Sequence, residues 1–337
     1  MKKIFNLIAS FVLLAGFSAC NKDGSDKPGL PPAPVPTVNY KGLTFISSGK
    51  STVCLAKVGA PDEITLEYST DESQWNPYTI GEKISMADGS FLLFRAGEQK
   101  NLTFSKGSDS YYHFEISGPV TAQGNIMSLL DRDFSTPLST NAFFALFEGC
   151  TSLLSAPELP ATTMEQGCYF RMFAECTGLK SAPELPAEAL AYNCYGWMFK
   201  GCSALTYVPD LPATEMVSYC YNNMFANCTS LKFAPELPAT RLDMGCYHCM
   251  FEGCTSLTSA PELPATELVS NCYEFMYKDC RNLRYVIGLF TTEPSEKTTK
   301  DWLSGVAASG TFIKSKKATW DVTSAHGVPE GWKIETW

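Results

Sequence analysis

The stretch GCTSLTSAPELPATEL, residues 253–268, decides how this chain folds, because it recurs along the sequence at a fixed distance. A close copy, GCTSLLSAPELPATTM, occupies residues 149–164, and three looser copies lie between them at intervals of 26 residues. A constant period of this length is typical of a solenoid, in which each unit buries its apolar face only by stacking on its neighbours.

Two series of cysteines keep the same period. The first is Cys150, Cys176, Cys202, Cys228, Cys254 and Cys280, and the second is Cys168, Cys194, Cys220, Cys246 and Cys272. Equivalent residues of stacked extended segments lie about 5 Å apart, so each inward position becomes a column of like side chains. Cysteine is small and is usually buried. We therefore expect two structural columns of buried, reduced thiols. The alternative is disulfide pairing within a turn, such as Cys168 with Cys176.

Each 26-residue unit contains two kinds of segment. LTSAPELP, residues 257–264, is predicted to be extended, because proline lacks the N–H group and disfavours helix in the residue before it. TELVSNCYEFMYKDC, residues 266–280, places Leu268, Cys272, Met276 and Tyr277 at a spacing that lines one side of a helix. The pattern therefore predicts a strand-like segment followed by a helical return.

The rest of the chain divides into four further parts. Residues 1–19 have the features of a signal peptide, and FSAC, residues 17–20, resembles a bacterial lipoprotein box, which implies cleavage before Cys20 and its acylation. The alternative is an ordinary signal peptide followed by a chance cysteine. Residues 20–37 are predicted to form a proline-rich linker. Residues 38–124 contain short strand-like runs that predict a small, Ig-like β-sandwich. The repeats take residues 125–290, and residues 291–337 are expected to cap them.

The repeat can now be compared with a known family. MFEGCTSLTSAPELPATEL, residues 250–268, followed by CYEFMY, residues 272–277, resembles the BspA-like leucine-rich repeats of Bacteroides surface lipoproteins, over residues 143 to about 290. The resemblance implies a mixed α/β fold, a leucine-rich-repeat-type solenoid preceded by the sandwich. It also implies a location at the outer membrane and cell surface, adhesion to host matrix proteins or to other cells, and no catalytic residues.

Charge and composition narrow the function classes. The formal net charge of -9 argues against a nucleic-acid partner, because phosphate binding needs a basic surface. The three histidines belong to no metalloprotease or serine-nucleophile signature, so we expect neither catalysis nor a cofactor. CYHC, residues 246–249, suggests a metal site, but Cys249 occupies a variable position. We therefore expect it to be exposed and incidental, with no metal bound.

Variable positions in the extended segments indicate where a ligand would bind. Where three units have serine, the others have Tyr207, Phe233 and Tyr285, and outward aromatic residues often anchor interfaces. Acidic residues recur beside them, among them Glu184, Asp210 and Glu236, and are expected to accept hydrogen bonds from backbone amides. The alternative is that they form an acidic stripe that binds a basic partner or calcium. The predicted function is non-catalytic binding of an extracellular protein by a lipid-anchored protein. The alternatives are glycan binding for nutrient uptake and a spacer without a ligand.

Overall fold

The computed structural model describes residues 41–99, 102–320 and 326–337. These belong to one unit, Val38–Trp337, whose buried apolar side chains form a continuous core. The predicted signal peptide, Cys20 and the proline-rich linker lie outside the described residues.

Two sheets of antiparallel strands begin this unit. Their strands are β1 (Thr44–Ser47), β2 (Ser51–Val58), β3 (Leu66–Ser69), β4 (Asn76–Tyr78), β5 (Ile84–Met86), β6 (Phe91–Ala96), β7 (Ser105–Gly107), β8 (Ser110–Ser117) and β9 (Val120–Gln123). One sheet has the order β9-β1-β6-β3-β4, and the other has the order β5-β2-β8-β7. Phe45 of the first sheet contacts Phe114 of the second, with ring centroids 5.0 Å apart. Aromatic side chains thus join the two sheets.

After β9 the chain forms a single 3-10 turn, Ile126–Leu129, which Asn125 caps by accepting the Met127 N–H at 2.8 Å. The first repeat then adds β10 (Leu153–Ser155) parallel to β9, which extends the first sheet. Phe114 of β8 stacks on Phe147 of that repeat at 5.1 Å. The sandwich therefore covers the first unit with a ring that continues one of the repeat's own columns.

Six units follow one another, and their turn segments begin at residues 141, 167, 193, 219, 245 and 271. We number them units 1 to 6. One column contains nearly parallel rings, from Phe147 to Tyr277, whose centroids are 5.3 to 5.7 Å apart. A second contains Phe143 and the tyrosines at 169, 195, 221, 247 and 273, at 5.7 to 6.0 Å. Equivalent side chains therefore contact one another through the stack.

The predicted helical return is wrong. Every fourth residue of each turn segment has a positive φ, as at Tyr219, Asn223 and Asn227, which interrupts any helix. N–H groups donate alternately within a turn and to the next unit: Met224 donates to the carbonyl oxygen of Tyr221 at 3.2 Å, and Phe225 to that of Met250 at 2.9 Å. The N–H groups that a helix would pair internally thus bond to the neighbouring unit instead.

The end of the chain forms a third, parallel sheet. It contains β11 (Ser259–Leu263), β12 (Tyr285–Gly288), β13 (Thr311–Lys314) and β14 (Lys333–Thr336), in that order. Between β12 and β13 lies α1 (Glu296–Thr299), and Trp302 behind it stacks on Tyr273 at 6.1 Å. The described residues are thus strands and turns in three sheets with one four-residue α-helix, so the predicted mixed α/β solenoid class is wrong.

Candidate binding surface

The extended segments place the predicted aromatic residues in one column. Tyr207 pairs in parallel with Ser181, and Phe233 pairs with Ser259, which in turn pairs with Tyr285. Apolar neighbours such as Leu205 and Leu231 are fully buried in the core, while these three aromatic side chains lie on the outside. Tyr207 is 40%, Phe233 45% and Tyr285 39% exposed. We call these three residues the aromatic stripe.

An acidic stripe, Glu184, Asp210 and Glu236, follows the aromatic positions by three residues in each unit, and all three side chains are exposed. Asp210 Oδ1 accepts the backbone N–H of Glu236 at 3.1 Å, which is the kind of bond expected for this column. The pKa of Tyr207 is raised, first by partial burial and then by the nearby carboxylates of Glu184 and Asp210. The structure therefore brings one predicted aromatic residue together with two predicted acidic residues.

A basic stripe borders the aromatic residues on the other side, and the sequence analysis missed it. Lys180, Lys232 and Arg284 each precede the aromatic column by one residue, and all are exposed. Two of these backbones are held between units: the Arg284 N–H donates to the carbonyl oxygen of Thr258 at 3.1 Å, and the Lys180 carbonyl oxygen accepts the Thr206 N–H at 3.0 Å. The period of 26 residues was the signal that would have revealed this stripe, since it aligns these three positions. The three stripes together form what we call the strand face.

The charged side chains of the turn segments form ion pairs, whereas those of the strand face do not within the described residues. On the turns, Arg171 pairs with Glu148, and Lys278 pairs with Glu252 at 3.5 Å. Within the described residues, no ion pair involves a member of the basic or the acidic stripe. Charged side chains without an ion pair remain available to a partner, whereas paired charges would have to separate first.

The two cysteine series are buried, and all thirteen cysteines in the described residues are free. In the first series each S–H donates to the phenylalanine carbonyl of the preceding layer; Cys176 donates to Phe147 at 3.0 Å and Cys228 to Phe199 at 3.1 Å. The same carbonyl also accepts a backbone N–H within its own turn, as Phe147 does from Cys150 at 3.1 Å. Cysteine therefore fits because it is small and also donates to a carbonyl oxygen.

Cys249 does not lie where the sequence predicted. It is only 6% exposed, and its sulfur lies 3.8 Å from His248 Nε2. Burial and the carboxylate of Glu252 raise the pKa of Cys249 to about 12, so the thiol keeps its proton at neutral pH. The residue type at the position of Cys249 varies between units, and yet the side chain is buried in unit 5. No group of histidine, cysteine, aspartate and glutamate side chains within the described residues has an arrangement suited to a metal ion.

Comparison with known proteins adds no assignment: no family model matches the chain, and neither curated proteins nor solved structures match it. In the part of the chain that the structure describes, every helix is too short or too polar to cross a membrane. The strand face is therefore the feature from which a function can be proposed.

Proposed function

We propose that the Val38–Trp337 unit is a non-catalytic binding domain that recognises an extracellular protein through its strand face. The observation that carries this proposal is the aromatic stripe, which is exposed on stacked extended segments. It lies between two stripes of charged side chains that form no ion pair within the described residues. Tyrosine and phenylalanine supply large contact areas at low entropic cost, and flanking charges favour complementary partners. Host matrix proteins and proteins of other cells are the partner class.

The proposal includes export and attachment at the outer surface of the cell. FSAC, with Cys20 at its end, supports lipid anchoring, and the resemblance to BspA-like repeats supports an adhesive role. Replacing Cys20 by alanine should release the protein from the membrane fraction. If the protein stays in that fraction after the change, the anchor is elsewhere.

Glycan binding is the second candidate, and one observation favours it. The carboxylates of Glu184 and Asp210 lie near the phenol of Tyr207. An aromatic ring beside hydrogen-bond acceptors offers both a stacking surface and partners for hydroxyl groups. A sugar would occupy this small platform, whereas a protein would cover the whole strand face.

One experiment tests both candidates. The Val38–Trp337 unit, which has its own core, is screened against matrix proteins and glycans beside the double variant Tyr207→Ser/Phe233→Ser. Serine already occupies these positions in other units, so the variant should fold. The control is Tyr192→Ser/Met244→Ser, which removes side chains of similar exposure, 46% and 44%, from other positions. Binding lost in the first variant and kept in the control supports the proposal. Binding kept in both assigns the ligand to another surface, and no binding at all favours a spacer.

A further inference from the structure

The charge pattern of the strand face limits which proteins can bind it. The basic stripe and the acidic stripe have opposite signs, and units 2 and 4 contribute one residue to each. Unit 2 contributes Lys180 and Glu184, and unit 4 contributes Lys232 and Glu236. The positive and negative side chains lie on opposite sides of the aromatic stripe, four residues or about 13 Å apart along an extended chain. A fitting partner must present an acidic stripe, an apolar stripe and a basic stripe in the matching order.

We propose that the strand face binds the strand face of a second copy of this chain, related by a two-fold axis parallel to the direction of stacking. This inference rests on the proposed function, because it takes the strand face as a binding surface and adds a second copy of this chain to the proteins that bind there. A two-fold axis gives an interface in which the same patch is used on both copies. The face must then be complementary to itself, and its order of charges satisfies that condition.

The direction of the axis follows from the order of the stripes. Rotation about an axis that runs along the stack exchanges the two sides of the face but keeps each unit at its own height. Lys180 then faces Glu184 of the second copy, and Lys232 faces its Glu236. The aromatic stripe lies at the centre, so Tyr207 and Phe233 meet their own equivalents. Aromatic side chains at the middle of an interface, with charges at the rim, are the usual distribution.

The other face-to-face arrangement is unfavourable. A two-fold axis perpendicular to the stack, running along the strands, keeps each stripe on its own side. The basic stripe would then face the basic stripe and the acidic stripe the acidic one, so that like charges would oppose each other at both rims. The charge order therefore selects the parallel pair, in which both sandwich ends lie on the same side. Two chains anchored at their amino termini to one surface would meet in this orientation.

The dimensions of the strand face predict a weakly associated dimer. Lys180 and Arg284 are four units apart, which corresponds to about 19 Å at the spacing of neighbouring strands. With a width of about 13 Å, the three stripes cover about 250 Å² on each copy, which is below the roughly 600 Å² per partner of the smallest stable interfaces, so association is weak and transient. We therefore expect a dimer that forms at a concentration of tens of micromolar and above, on the order of 10⁻⁵ M.

The test is sedimentation of the Val38–Trp337 unit over about 10 µM to 1 mM, a range suited to weak association. Two charge-reversed variants are used, Lys180→Glu/Lys232→Glu and Glu184→Lys/Glu236→Lys. Each alone should self-associate about tenfold more weakly or worse, because both rims then carry like charges. An equimolar mixture should form a mixed dimer, because all rims are again complementary. The control, Lys57→Glu/Lys83→Glu, makes the same charge change at exposed sandwich positions.

A unit that stays monomeric throughout this range overturns the inference. So does a dimer that both charge reversals leave unchanged, or a mixture that fails to associate while each variant keeps its thermal melting curve. These outcomes leave the proposed function standing if an array ligand is lost in Tyr207→Ser/Phe233→Ser. The failure of the second-copy inference and the failure of the binding surface are therefore distinguishable.

Discussion

Raising the pH above 9 should unfold this protein, because its cysteine columns keep their protons only in the folded state. Burial raises the pKa of Cys150, Cys194 and Cys254 from the ordinary value of 9.0 to about 12, and the pKa of every other thiol in the two series is also raised. Above pH 9 the unfolded chain has ionised thiols while the folded chain does not. The unfolded state then binds fewer protons, so stability falls as the pH rises.

The size of the effect follows from the number of thiols. One pH unit above the unfolded pKa, each buried thiol lowers the free energy of unfolding by about 1.4 kcal/mol. The two series contain eleven cysteines. Their combined effect at pH 10 is on the order of 15 kcal/mol, which matches or exceeds the whole stability of a typical domain. Unfolding should therefore be complete between about pH 9 and 11 at room temperature, where these losses accumulate.

The assay is circular dichroism with urea titrations at steps between pH 7 and 10.5. Cys228→Ala removes one column member, so the slope of the free energy of unfolding against pH should become less steep by about 1.4 kcal/mol per pH unit. A free energy of unfolding that stays constant up to pH 10, or a slope that Cys228→Ala leaves unchanged, would refute the reasoning.

Four further substitutions test the stack, each by urea unfolding. Tyr221→Phe should be neutral or stabilising, because the Tyr221 hydroxyl is buried without a hydrogen-bond partner; a loss above about 1 kcal/mol would reveal a hidden partner. Phe199 lies between rings 5.5 and 5.7 Å away, so Phe199→Ala should lower the free energy of unfolding by about 3–5 kcal/mol. Tyr207→Ser should lower it by about 0.5 kcal/mol or less. Similar losses in the two variants would contradict the assignment of inward and outward positions. Glu175→Gly should stabilise by about 1 kcal/mol, since Glu175 has a φ of 61°; a clear loss would show that its side-chain contacts outweigh the strain.

The period and the columns could be predicted from the sequence, because stacking requires equivalent side chains to contact each other. Apolar spacing alone predicts a helical return where the structure has turns. The turns repeat every four residues, so Leu242, Cys246 and Met250 recur at an interval close to the 3.6 residues of a helix. The missed signal is the frequency of asparagine, glycine and aspartate at every fourth position, as at Asn193, Gly201 and Asn227, since these residue types tolerate a positive φ.

The candidate surface was also only partly predictable. Exposure of Tyr207, Phe233 and Tyr285 follows from their replacement by serine in other units, because a buried position rarely tolerates such a change. Cys249 shows the limit of this argument, since its position also varies and yet its side chain is buried by its neighbours. The availability of the charges depends on the ion pairs that each side chain finds, and these appear only when the units are packed.

The most direct test of the account is a set of spin-label distances along the strand face, which depends on units stacking in register. Cysteines placed at exposed Lys180, Thr206, Lys232 and Arg284 can be labelled selectively at pH 7, because the native thiols are buried and protonated. Pairs two, three and four units apart should give distances that rise by about 5 Å per unit, the spacing of neighbouring strands. Distances that do not increase in this regular way would contradict the stack and the binding face built on it.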